Sequence, residues 1–174
     1  MNGNKMITKE VIERLSADTK ELFDFYDEKR LIKTTKQKSE DISGLLETAM
    51  EDLIEGAIAP KIDCEPDIRL HGEPVEIKTT NGGCWMSGTF SKREGYFIFV
   101  NWEIDDENKP SFFIAGKDLI KSDWQPSKSA SYYATTYNKK MLYENRDDVK
   151  FYHGHLEGYK RGKQQCIKIH TEKT

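Results

Sequence analysis

The sequence has no long apolar run. None approaches the roughly 18 residues needed to cross a bilayer, so no membrane partner is expected. Cysteine is sparse: Cys64, Cys84 and Cys166 are odd in number and widely separated. Without a Cys-x-x-Cys pair, neither a zinc ribbon nor a disulfide framework is supported. The three read as reduced thiols of a cytoplasmic protein. The segment MNGNKMITKEVIERL has no apolar core ahead of a cleavage site, so no secretion signal is expected either. Positive charge is not in excess, since the formal net charge is -3. Phosphate-binding glycine loops, internal repeats and low-complexity tracts are all missing.

What remains is a strongly charged chain, 33% Asp, Glu, Lys and Arg, whose 11% aromatic content excludes a disordered one. Its 174 residues suit a single domain with a sizeable core. Charge is unevenly distributed. Between Ser127 and Lys140 the only charges are Lys128, Lys139 and Lys140, and five cations face Glu172 alone from Tyr159 onward. An acidic average can therefore conceal a basic face.

Periodicity predicts a helix over 8–31, with a break near Ser16 where Asp18 and Glu21 have capping-box spacing. A polar connection follows over 32–40. The clearest helix runs from Asp41 to Ile58, capped by Ser39 and stopped by Pro60. Gly44 inside it implies that something packs close. The pattern then changes to period two, predicting strands at 65–70, 75–80, 95–104 and 111–115. The third, GYFIFVNWEI, has the continuous apolar middle of a strand buried on both faces. Residues 129–146 read as partly helical, and VKFYH and QCIKIH as further short strands. The fold class expected is α/β (α+β).

Chemistry concentrates in CEPDIRLHGEPVEIKTT, residues 64–80. The Glu76-Ile77-Lys78 triplet alone is uninformative, because the chain holds five acid-x-Lys triplets, with Asp148-Lys150 the best rival. Register is more informative. With His71 to Pro74 as the turn, Leu70 pairs with Val75, Arg69 with Glu76, Ile68 with Ile77, and Asp67 with Lys78. Apolar residues then meet apolar ones, and Asp67, Arg69, Glu76 and Lys78 share one face. Asp67 and Glu76 lie diagonally, at roughly 7–8 Å. Two such carboxylates can hold Mg²⁺, and an adjacent lysine can serve the attacking water and offset charge on a phosphorane. Asp63 and Glu65 alternate onto the same face and could join or displace this site. The alternative is a surface hairpin with ordinary cross-strand ion pairs.

Pro66-Asp67 followed by Glu76-Ile77-Lys78, on a helix-then-hairpin background, resembles the PD-(D/E)xK nuclease superfamily, which includes most type II restriction endonucleases. Gly44-Leu45-Leu46-Glu47 matches the acid-bearing helix of that pattern, and strand 95–104 its buried strand. The resemblance covers residues 40–115. It implies a restriction-endonuclease-like core, a central mixed sheet flanked by helices. It implies a Mg²⁺-dependent, sequence-specific double-stranded DNA endonuclease, with Mn²⁺ able to substitute, leaving 5′-phosphate ends. Asp67 and Glu76 would hold the metal, Lys78 would serve the water, and Glu47 would support the metal shell. A short chain cutting both strands of a symmetric site would act as a homodimer. Another nuclease of the superfamily (resolvase, repair or phage nuclease) and a non-catalytic nucleic-acid-binding protein are the alternatives.

Residues 116–174 would then carry DNA recognition and dimerisation. In SKSASYYATTYNKK, the candidates for DNA contact are Lys128, Tyr132, Tyr133, Tyr137, Asn138, Lys139 and Lys140. An amphipathic segment with buried tyrosines is the alternative. Arg161 and Lys163 are weaker candidates for the DNA backbone. Trp85, in the glycine-rich loop after the Glu-Ile-Lys strand, could reach a groove or be tucked into the core. His153 and His155 lack a third metal ligand at recognisable spacing.

Overall fold

Helix α1, Lys9–Glu28, starts at Thr8, whose hydroxyl accepts from the Val11 amide. The computed structural model describes residues 6–62, 65–88, 91–129, 131–144 and 148–154. No break occurs at Ser16. Val11, Ile12, Leu15, Thr19, Phe23 and Tyr26 form one continuous buried stripe. Asp18, expected to cap a new start, instead pairs with Arg14 one turn back at 2.7 Å.

Helix α2 spans Thr35–Leu53, beginning and ending earlier than periodicity alone indicates. Thr34 and Gln37 form a reciprocal capping box, each side chain accepting from the other's backbone amide. Ser39 is therefore not a cap. It is buried inside the helix, where its hydroxyl accepts from the Trp102 indole N–H at 2.8 Å. Pro60 does not end the helix. The chain leaves it at Ile54 and turns at Gly56, which has φ 81°. Ala57 and Ile58 then form β1, paired antiparallel with β2, Ile68–Leu70.

The hairpin from β2 to β3, Glu73–Thr80, turns over only two residues. His71 and Gly72 both have positive φ, 52° and 84°, as a tight hairpin matched to strand twist requires. The register is therefore Ile68 with Val75, Arg69 with Pro74 and Leu70 with Glu73. This is two residues from the pairing drawn from apolar matching. A shift of two preserves the faces, since side chains alternate with period two. It changes the partners: extending the ladder one residue sets Asp67 across from Glu76, not from Lys78.

Strand β4 is Met86–Gly88, β5 is Gly95–Ile104 and β6 is Pro110–Leu119. After one 3-10 turn come β7, Trp124–Pro126, and β8, Tyr132–Thr135. A short helix α3, Lys139–Glu144, and β9, Lys150–His153, follow. Six strands form a mixed sheet ordered β1-β2-β3-β5-β6-β9, with β3 and β5 parallel and the other pairs antiparallel. Strands β4-β8-β7 form a separate antiparallel sheet.

Alternation along β5 explains the layers. Ile98, Val100 and Trp102 pack with the buried stripes of α1 and α2. Phe97 and Phe99 enter a second core with Trp85, Trp124 and Leu142, beneath the small sheet and α3. The two long helices thus cover one face of the main sheet, and α3 packs with the small sheet over the other. Each fully buried large apolar side chain here contributes about 1.5–3 kcal/mol. Because β9 completes the main sheet, part of the segment expected to carry recognition is core instead.

Candidate functional site

The site is built on β3. Val75 and Ile77 point into the helix-side core, so Glu76 and Lys78 must point to the opposite face. The tight turn brings the chain ahead of β2 alongside them. Asp67 is locked there by its own backbone neighbour, its carboxylate accepting from the Ile77 amide at 2.7 Å. It also hydrogen-bonds the Glu76 carboxyl. The two acids are in direct contact, closer than the diagonal placement expected from sequence.

The second wall is α2, from which Ser43, Gly44 and Glu47 recur at helical spacing. Together these elements enclose a cleft of about 680 Å³ that also admits Lys78 and Lys92. No atom lies within 4 Å of where a Cβ on Gly44 would be. The glycine does not serve a close packing contact, as expected from sequence; it leaves the cleft open.

Electrostatics mark the same residues. Burial, then the charge and hydrogen bond of Asp67, push the Glu76 carboxyl up to about 7, against the opposing pull of Lys78 and Lys92. Burial also raises Glu47, although Lys61 lies 2.6 Å away and counteracts it, while the Asp67 charge adds to the rise. Lys78 is half-buried and makes no ion pair with any described residue, so its ammonium is available to the cleft. Lys92 is a participant that sequence reasoning missed. It lies outside the hairpin, and nothing in SKREG distinguishes it from other surface lysines.

Of the rival acids, Glu65 lines the same cleft. Glu65 is exposed and pairs with Arg69 at 3.0 Å, while Arg69 also donates to the Gly72 carbonyl. Asp63 lies outside the described residues, as do Cys64 and Cys166. Asp148 and Lys150, the best rival triplet, are both exposed at the edge strand β9. His153 is exposed and His155 lies outside the described residues.

The expected DNA contacts are scattered. Trp85 is interior, 1% exposed, its indole N–H donating to the Val100 carbonyl. Tyr133 is half-buried beneath Arg93, whose guanidinium stacks 3.7 Å from the ring centroid. The Tyr137 hydroxyl donates to Asp123, and the Asn138 side chain caps α3 through the Met141 amide. Lys139 is buried, which lowers its pKa against the raising influence of Glu103. Lys140 pairs loosely with Glu144 at 3.9 Å. Lys128 and Tyr132 remain exposed, and Tyr132 alone reaches the vicinity of the cleft. Arg161, Lys163 and the QCIKIH segment lie outside the described residues.

The donor set decides what ion the cleft could take. Among the described residues, no group of three or more His, Cys, Asp or Glu side chains is assembled for a metal. A closed protein cage is therefore not what the cleft offers. Two adjacent carboxylates, Asp67 and Glu76, fit the requirement of Mg²⁺, which keeps several waters and takes one or two carboxylates plus substrate phosphate. A divalent cation would relieve the repulsion between two carboxylates so placed.

No family model matches the chain, and no curated protein matches it at a significant level. No helix among the described residues is long and apolar enough to cross a membrane.

Proposed function

We propose that this chain is a Mg²⁺-dependent endonuclease of double-stranded DNA with a restriction-endonuclease-like core, acting as a homodimer at specific sites. The observation that carries this reading is the contact of Asp67 with Glu76 on the face that also presents Lys78, in a cleft backed by Glu47. Ordinary surface pairing would put each carboxylate against a cation. Here two acids face one another while Lys78 makes no ion pair with any described residue, an arrangement that is costly unless a cation and an anion are to be bound.

Asp67 and Glu76 would hold Mg²⁺, which when bound supplies Lewis acidity toward a phosphodiester oxygen and a water. The Ile77 amide fixes one Asp67 oxygen, leaving the carboxylate oriented by the strand itself. Lys78 stands one alternation along the same face, placed to orient the attacking water and to offset charge developing on phosphorus. Glu47, tied to Lys61, keeps negative charge beside Asp67 and so holds the cleft selective for cations.

The test is incubation of plasmid DNA with Mg²⁺. The parent should give discrete fragments carrying 5′-phosphates. Lys78→Ala and Asp67→Asn should each lower the rate by at least about 10²-fold while keeping the parent's thermal unfolding. Asn retains an oxygen for the Ile77 amide, so lost activity with an intact fold is attributable to charge. Normal cleavage by Asp67→Asn, or no cleavage by the parent with either Mg²⁺ or Mn²⁺, refutes the proposal. A ladder without discrete products, or preference for branched DNA, points instead to a different nuclease of the same superfamily.

A further inference from the structure

The carboxylate cleft does not end at Lys78. A second groove of about 720 Å³ continues from it, with Glu40, Ser43, Lys78 and Ser91 lining both. Beyond that shared wall the chemistry changes from acids to hydroxyls, a cation and an aromatic ring. Thr80 follows Lys78 along β3, Lys36 projects from the first turn of α2, and Ser87, Met86 and Tyr132 come from the small sheet.

Ser87 is the anomaly. It is 3% exposed, and its hydroxyl has no hydrogen-bond partner among the described residues. A buried hydroxyl without a partner is costly, and native structures rarely leave one without a reason. Ser87 lies on β4, which among the described residues is at the edge of the small sheet. Around the same edge, Met86 is 54% exposed and Tyr132 39% exposed. The register pairs Met86 with Ala134 and Gly88 with Tyr132, so Met86 and Tyr132 share one face as diagonal neighbours. An apolar ring and a thioether are thus held open to solvent beside two lysines.

We infer that this groove seats a nucleotide adjoining the reacting phosphodiester, an inference that rests on the nuclease reading of the neighbouring cleft. The base, taken out of the duplex stack, lies over Tyr132 and Met86, since an exposed ring offers stacking to an unpaired base. The phosphate lies toward Lys36 and Lys78. The two spaces share the wall of Glu40, Ser43, Lys78 and Ser91, so the strand that reacts at Asp67 and Glu76 is held on the side of Lys78.

The test measures affinity separately from cleavage. Anisotropy of a short fluorescein-labelled DNA duplex of mixed sequence is followed with the full chain carrying Asp67→Asn, alone or with Tyr132→Ala, Tyr132→Phe, Lys36→Ala or Ser87→Val. Tyr132→Ala should weaken binding about tenfold, Tyr132→Phe should leave it unchanged, and Lys36→Ala should weaken it while flattening its salt dependence. Ser87→Val, whose side chain lies on the opposite face of β4, should leave binding unchanged, with thermal stability equal to or above that of the parent. Parent-like affinity in both Tyr132→Ala and Lys36→Ala overturns the inference, as does failure of the parent to bind the duplex. If the chain cleaves DNA normally but affinity ignores Tyr132, the groove assignment falls and the nuclease reading stands. If the chain never cleaves but binding depends on Tyr132, the groove stands and the nuclease reading falls.

Discussion

Replacing Glu76 with Gln should make the metal-free protein more stable at pH 8, although it removes a proposed metal ligand. The native Glu76 carboxyl holds its proton up to about 7, against an ordinary 4.5, chiefly because it is buried and secondly because Asp67 lies against it. A folded-state pKa above the unfolded one favours the native state at low pH. That contribution is complete below about 4.5 and lost as pH rises through about 7. At about 1.4 kcal/mol per pH unit, the difference amounts to at most about 3.5 kcal/mol. Glu76 is only half-buried, and solvent screening reduces this to roughly 1–2 kcal/mol. Gln keeps the shape and can donate to Asp67, but it cannot ionise.

In EDTA, the melting temperatures of the two proteins should therefore converge near pH 5. At pH 8 the variant should melt higher by roughly 2–8 °C, at about 2–4 °C per kcal/mol for a chain of this size. Adding Mg²⁺ at pH 8 should raise the parent and not the variant, because ion binding to the native state adds stability by mass action. An identical dependence of melting temperature on pH in both proteins, or a variant that melts below the parent at pH 8, would refute the electrostatic account of this pair.

Gly44→Ala should stabilise α2 by up to about 1 kcal/mol, since the added methyl meets nothing within 4 Å. A raised urea midpoint at unchanged slope checks this, and a lowered midpoint would mean the cleft wall is packed after all. Ser39→Ala should cost about 1–3 kcal/mol, because the buried Trp102 indole N–H loses its acceptor. Thermal unfolding reads this loss, which would be absent if Ser39 were only a surface cap.

The sequence alone determined those features that depend on local periodicity. A period near 3.6 located both long helices, and β5 came out at its full length because a strand buried on both faces is apolar throughout. Period two placed Asp67, Glu76 and Lys78 on one face, and that survived the change of register because the shift was even. Boundaries and partners were decided by tertiary structure. Thr34 rather than Ser39 caps α2, because Trp102, distant in the chain, takes the Ser39 hydroxyl. The hairpin closes over two residues because His71 accepts positive φ, which no apolar pattern records. Gly44 looked like a packing contact until the space beside it was seen to be the cleft. Lys92, Tyr132 and Ser87 gather around the site only once β3, the loop before β5 and the small sheet are brought together. Adjacency across the chain sets the local dielectric and the charge that each acid meets, and a linear pattern holds no record of either.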